Sequence, residues 1–104
     1  MKRPKSVEIG GLTYKIKYVR PGSCRELRKQ DTGSILQDKQ TIWIDKNASD
    51  SVQLLTLLHE FLHGIAFQLY ATKSLDFREH FACSVSDALL QALQSSGLLR
   101  RRFD

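Results

Sequence analysis

Three side chains able to bind and use a metal ion lie close together in the sequence, as His59, Glu60 and His63. On an α-helix, residues four apart lie on one face, roughly 6 Å apart along the axis, so both imidazoles can converge on one ion. Glu60 is one step round the helix from His59 and can flank the ion without ligating it. Two nitrogen ligands and a carboxylate beside the bound water form the arrangement that a zinc hydrolase uses.

The segment that carries this motif is predicted to be a long buried helix over about residues 50–70. Asp50 and Gln53 have the spacing of a capping box at its start. Apolar residues then occur nearly all the way round, which is typical of a buried helix. Polar and charged groups are costly in a core unless they are paired or bind a metal. Burial is therefore the main argument that the motif holds an ion, against the alternative that it binds nothing. Gly64 is expected to let a neighbouring backbone approach.

A catalytic zinc ion usually has three protein ligands and one open position for water. Glu79 is the expected third ligand, because a short connector joins the first helix to a second one predicted over about residues 75–96. The alternative role for Glu79 is that of a helix cap, in a capping box with Asp76. The other candidates for the third ligand are His80, Asp76, Asp87 and Cys24.

The first half of the chain predicts two β-hairpins. Alternating apolar and polar residues over 6–19, interrupted by Gly10-Gly11, indicate two strands joined by a tight primed turn. Residues 35–37 and 41–45 indicate the second hairpin. Segment 23–30 is compatible with a short helix or with a strap across the sheet. The residues expected to face the core are Leu12, Tyr14, Ile16, Tyr18, Ile42 and Ile44.

Together these elements predict an α+β fold, a small antiparallel sheet of three to four strands (about residues 6–45) packed on two main α-helices. The first of those helices carries the motif. The chain has 104 residues, enough for a single small domain. Residues 98–104 are expected to form a basic tail, which is long enough to occupy the cleft and inhibit the site.

The composition is that of an ordinary globular protein, with 41% hydrophobic and 26% charged residues. Its most apolar stretch contains the three polar residues of the motif, so no membrane span or membrane partner is expected. Cys24 and Cys83 form no Cys-x-x-Cys pair, and no apolar signal core follows the N-terminus. We therefore expect reduced thiols and a cytoplasmic location. The net charge of +5 is concentrated partly at the two ends, where it can bind nucleic acid or simply aid solubility.

The motif helix followed by Glu79 on a second helix resembles the gluzincin class of zinc metallopeptidases. The short chain is similar to the minimal members called minigluzincins, and to small phage-encoded proteins with the same motif. The resemblance covers most of the chain, from the hairpin at Gly10-Gly11, through 41–45 and 56–63, to Glu79 and the apolar positions after it. It implies a zinc cofactor held by His59, His63 and Glu79, with Glu60 as general base.

The sequence departs from larger gluzincins at one position. Those proteins have an aspartate four residues after the ligand glutamate, where it orients a histidine ligand, and this chain has Cys83 there. The group that orients the imidazoles is therefore unassigned, with Asp87 as a candidate. His80, Tyr70 and Arg78 are candidates for stabilising the transition state.

The leading hypothesis is hydrolysis of a peptide or an unfolded protein that lies extended along an exposed edge strand. The alternative is a non-catalytic zinc-stabilised domain that binds nucleic acid or a protein partner through its basic ends. That alternative predicts a closed metal site, with His80 or a cysteine as the fourth ligand.

Overall fold

The computed structural model describes residues 3–70 and 74–95, without the side chains of residues 87 and 94. Within these ranges four strands form one sheet and two helices follow them. The elements are β1 (Ser6–Ile9), β2 (Leu12–Val19), β3 (Gly33–Leu36), β4 (Thr41–Asp45), α1 (Asp50–Leu69) and α2 (Leu75–Ser95). The predicted α+β fold is confirmed.

The first hairpin forms as the glycine pair predicts. Gly10 and Gly11 both have positive φ angles, of 58° and 86°, which suit a primed turn between β1 and β2. The side chain of Gln68, near the end of α1, donates a hydrogen bond of 2.8 Å to the Ile9 carbonyl. This contact fastens the C-terminal part of α1 to the hairpin.

The sheet is mixed, although mostly antiparallel, with strand order β1-β2-β4-β3. The pairing of β2 with β4 is parallel and sets Ile16 opposite Ile42, whereas an antiparallel sheet was expected. Alternating apolar residues indicate which face of a strand is buried but carry no information on its direction. The order leaves β3 at one edge of the sheet.

The core lies between the sheet and α1, where five buried sheet residues are packed by three side chains of the helix. The five are Ile9, Tyr14, Ile16, Ile42 and Ile44, and the helix contributes Leu57, Phe61 and Ile65. The prediction for Ile42 and Ile44 is confirmed. Leu12, expected on the same face, is 45% exposed and lies at the turn end of the hairpin, opposite Ile9.

The start of α1 differs from the predicted capping box. Ser49 is the N-cap, and its hydroxyl accepts a hydrogen bond from the Val52 N–H. Gln53 is fully buried and donates to the Asp45 carbonyl at 2.9 Å, and it also accepts from Arg3. The residue before the expected cap therefore serves that role, and Gln53 joins the helix to the end of β4.

The helix is less completely buried than its apolar pattern predicts. Phe67 and Leu69, in its last turns, are exposed. Gly64 does permit a close approach, but by a side chain rather than a backbone, since a Cβ there would lie 2.7 Å from Ile9 Cδ1. The site therefore lies on a helix packed against the sheet on one side and open to solvent near its C-terminus.

The segment between β2 and β3 lies outside the regular strands and helices. Residues 20–32 contain turns and an isolated bridge between Cys24 and the fully buried Leu27, so this segment is not a helix. The Phe77 N–H donates to the Ser74 hydroxyl at the start of α2. In the described ranges, neither helix combines the length and the apolar character that a membrane crossing requires.

Candidate metal centre

Two histidines of α1 and one glutamate of α2 meet at a single point. The rings of His59 and His63 have centroids 4.8 Å apart and planes inclined at 73°. Glu79 Oε2 lies 2.5 Å from His63 Nε2, and Glu79 Oε1 lies 3.4 Å from His59 Nε2. One ligand atom from each residue lies within 4.8 Å of the other two. We call these three residues, which could together hold a metal ion, the metal-ligand cluster.

Glu79 faces the histidines instead of capping its helix. Ser74 accepts the hydrogen bond from the Phe77 N–H at the start of α2, so the capping box between Asp76 and Glu79 is not needed there. Glu79 lies on the second turn of α2, where the packing of this helix on α1 sets its carboxylate against His63. The packing of α2 on α1 thus brings the third donor to the motif.

The chemistry of these donors fits zinc. Zinc favours imidazole nitrogen and carboxylate oxygen in a tetrahedral arrangement with bonds of roughly 2 Å, which separates neighbouring ligand atoms by about 3.3 Å. The 3.4 Å between His59 Nε2 and Glu79 Oε1 is close to that separation, whereas the 2.5 Å between His63 Nε2 and Glu79 Oε2 is shorter than it. In the described ranges the cluster has three protein donors, which leaves one tetrahedral position for water.

The protonation of two cluster residues also suits coordination. Burial lowers the pKa of His63, assisted by the nearby charges of His59 and Arg78, and so favours the neutral imidazole that binds metals. Partial burial alone would raise the pKa of Glu79. The hydrogen bond from Cys83 and the attraction of the two histidines outweigh it and lower that pKa.

Glu60 lies beside the cluster and is not one of its members. Its side chain is buried, and burial raises its pKa to about 8, with smaller contributions from the negative charges of Glu79 and Asp31. The start of β3 lies against it, since a Cβ at Gly33 would be 3.3 Å from Glu60 Oε2. The carboxyl group is thus held in a narrow space between α1 and the edge strand.

Two clefts lead to this carboxyl group, and Asp31, Gly33, His59 and Glu60 line both of them. The first cleft has a volume of about 400 Å³ and runs towards Cys83 on α2. The second, of about 580 Å³, lies between β3 and the start of α2. We call the second one the β3 cleft. Its remaining lining residues are Arg28, Ser34, Ile35, Leu36, Gln37, His63, Phe67, Leu75, Arg78 and Glu79.

Cys83 makes a contact that the sequence patterns did not predict. Its thiol donates a hydrogen bond of 3.2 Å to Glu79 Oε1. The signal was present in the spacing, because residues four apart on a helix are neighbours. In this chain the residue at that position contacts the carboxylate of Glu79, whereas in larger gluzincins the corresponding residue orients a histidine.

The other candidates have different surroundings. His80 is exposed, lies 3.3 Å from the Ser84 hydroxyl and does not belong to the cluster. The ring of Tyr70 packs edge-on against Phe77 and Phe81. Cys24 lies in the turn before β3, outside the cluster. The side chain of Asp87 and the basic tail 98–104 lie outside the described residues. Arg78 does line the β3 cleft, beside His63.

Comparisons of the chain with protein-family models, with curated proteins and with solved structures each found no match. The function is therefore inferred from the chemistry and geometry of the described residues.

Proposed function

We propose that this chain is a zinc-dependent metallopeptidase that hydrolyses bonds in peptides or unfolded proteins. The observation that supports the proposal is the convergence of His59, His63 and Glu79 from two helices, beside a buried glutamate at the meeting of two clefts. A reducing, cytoplasmic setting is part of the proposal, because a chain with two widely spaced cysteines and no Cys-x-x-Cys pair is typical of such a compartment.

The three cluster residues would hold the ion. Zinc bound there would supply a Lewis acid and lower the pKa of a water molecule to about 7. Glu60 lies one helix position from His59 and opens onto both clefts, so its carboxylate can take the proton from that water as the carbonyl carbon is attacked. The same carboxyl group then gives the proton to the leaving nitrogen.

The edge strand β3 offers a place for the substrate backbone. Among the described residues it pairs only with β4, and its residues line the cleft that contains Glu60. An extended peptide can therefore add to this edge with backbone hydrogen bonds, which bind many sequences alike. Because the clefts are open and this edge binds the backbone, the proposal includes no tight sequence selectivity.

The test is the substitution Glu60→Gln, which keeps the size of the side chain and removes its ability to accept a proton. We expect zinc content, measured by plasma mass spectrometry, to stay at the parent level. Cleavage of an unfolded protein substrate should fall by about 100-fold or more. Glu8→Gln is the matched control, because Glu8 is exposed on β1 at the other edge of the sheet. Cleavage by Glu60→Gln at the parent rate would contradict the proposed mechanism.

The structural-zinc alternative requires a fourth protein ligand, and none joins the cluster within the described part of the chain. One of the basic N-terminal residues is already engaged, since Arg3 pairs with Asp50 at 2.6 Å and also contacts Gln53. These observations favour the hydrolase, and the alternative remains a separate hypothesis.

A further inference from the structure

Arg78 occupies a distinctive place in the β3 cleft. It precedes the ligand Glu79 in the sequence, and its side chain lines the cleft together with His63. The guanidinium carbon lies 5.5 Å from the centre of the Phe67 ring, a cation–π distance. The aromatic face thus holds the positive charge at the wall of the cleft, close to the metal-ligand cluster.

In the described part of the chain, the Nε atom of Arg78 differs from those of Arg3 and Arg28, which each donate to a side-chain partner. The Arg78 Nε atom is buried, and within the described residues it makes no hydrogen bond. Arg28, on the same cleft, is paired with Asp31 at 3.1 Å, and Arg3 is paired with Asp50. The nearest carboxylate in sequence, that of Glu79, is directed to the histidines. A buried N–H without a partner is costly, so this group is suited to an acceptor that arrives with a ligand.

The rest of the cleft defines what that ligand can be. The lining combines apolar side chains with polar and charged ones, among them the carboxyl groups of Asp31, Glu60 and Glu79. The volume of about 580 Å³ accommodates one or two amino-acid residues. A planar guanidinium binds a carboxylate through two parallel hydrogen bonds. The apolar wall is formed by Ile35, Leu36, Phe67 and Leu75.

We propose that Arg78 binds a carboxylate of the substrate, so that the enzyme selects peptides with an acidic group next to the cleaved bond. The carboxylate belongs to an aspartate or glutamate side chain, or to the C-terminus of the peptide. This inference rests on the proposed function and adds substrate selection to it. It differs from a role in stabilising the transition state, which would act on every substrate equally.

The experiment measures peptide binding by zinc-loaded protein carrying Glu60→Gln, so that no cleavage is needed. Matched peptides carry Glu or Gln at successive positions, and each is made with a free and an amidated C-terminus. We expect about tenfold tighter binding of the acidic member of one pair, because hydrogen bonds to charged groups are the stronger ones. The pair that shows the difference identifies the source of the carboxylate.

Two further variants assign the preference to Arg78. Arg78→Gln should abolish it, and Arg78→Lys should retain part of it, since lysine keeps the charge without the planar fork. Arg20→Gln is the control for net charge, because Arg20 does not line the β3 cleft, and it should leave the preference intact. Thermal melting of each variant establishes that it is folded.

The inference is overturned if acidic and amide peptides bind equally. It is also overturned if the preference survives Arg78→Gln, because the carboxylate is then bound elsewhere, for example by the zinc ion. A third contrary result comes from cleavage assays, if Arg78→Gln lowers kcat equally for acidic and amide peptides. Failure of the proposed function gives a different result. The zinc-loaded parent protein would then cleave no peptide, while the binding preference for carboxylate would still be lost in Arg78→Gln.

Discussion

Glu60 is the residue on which the fold and the proposed chemistry make opposite demands. Burial raises its pKa to about 8 and so favours the neutral acid, which cannot accept a proton at pH 7. A general base must be ionised. A cation held by His59, His63 and Glu79 beside it would favour the ionised form, because an opposite charge within a few ångströms lowers the pKa of a carboxyl group. A cation at the metal-ligand cluster would therefore allow the buried Glu60 to be ionised and to act as a base.

Cys83 provides a prediction at the same scale, because its thiol donates to the carboxylate that would bind the metal. We expect Cys83→Ala to weaken zinc binding by about tenfold, the lower end of the effect for groups that orient metal ligands. Cys83→Ser keeps a donor and should restore most of the affinity. The measurement is competition with a chromophoric chelator.

Cys24→Ala is the matched control, since Cys24 lies in a turn outside the cluster. Equal zinc affinities for Cys83→Ala, Cys83→Ser and the parent would show that the hydrogen bond does not hold Glu79 in position.

Among the elements, the contact between α1 and the edge strand β3 determines the width of the site. Gly33 begins β3, and a Cβ at this position would lie only 2.3 Å from Thr56 Cγ2. Gly33→Ala should therefore push the strand away from the helix and lower the free energy of unfolding by roughly 1–3 kcal/mol. Peptide cleavage should fall as well, because the strand forms one wall beside Glu60. Urea unfolding and a peptidase assay measure the two effects.

The matched variant for this prediction is Thr56→Ser, which removes the methyl group that the new Cβ would meet. Combined with Gly33→Ala, it should recover part of the lost stability, so the two substitutions should not be additive. Additive effects would mean that Gly33 is needed for another reason.

The elements differ in how far sequence patterns predicted them. The helices and the hairpin at Gly10-Gly11 follow from local signals, namely apolar periodicity and residues that favour positive φ angles. The parallel pairing of β2 with β4 is a non-local choice that neither strand encodes alone. The N-cap was predicted one residue late, because Ser49 and Asp50 are both good capping residues and only the tertiary contact of Gln53 separates them.

For the whole molecule, the candidate site depends on packing between parts distant in sequence. The spacing of His59 and His63 predicts their shared face, and the short segment between the two helices makes Glu79 the expected third donor. Neither fact predicts that Gly33 lies against Glu60, or that Arg78 lines a cleft opposite β3. Both contacts depend on β3 being the edge strand of the sheet. That location follows from the strand order, which the sequence patterns did not predict.

The most direct test of the account is X-ray absorption spectroscopy at the zinc edge, together with anomalous diffraction from zinc-loaded crystals. We expect a single zinc ion per chain, bonded at about 2.0–2.1 Å to a nitrogen of His59, a nitrogen of His63 and an oxygen of Glu79. The remaining position should hold a solvent oxygen that lies beside Glu60. Zinc bound by other residues, or a fourth protein ligand in place of the solvent, would contradict it.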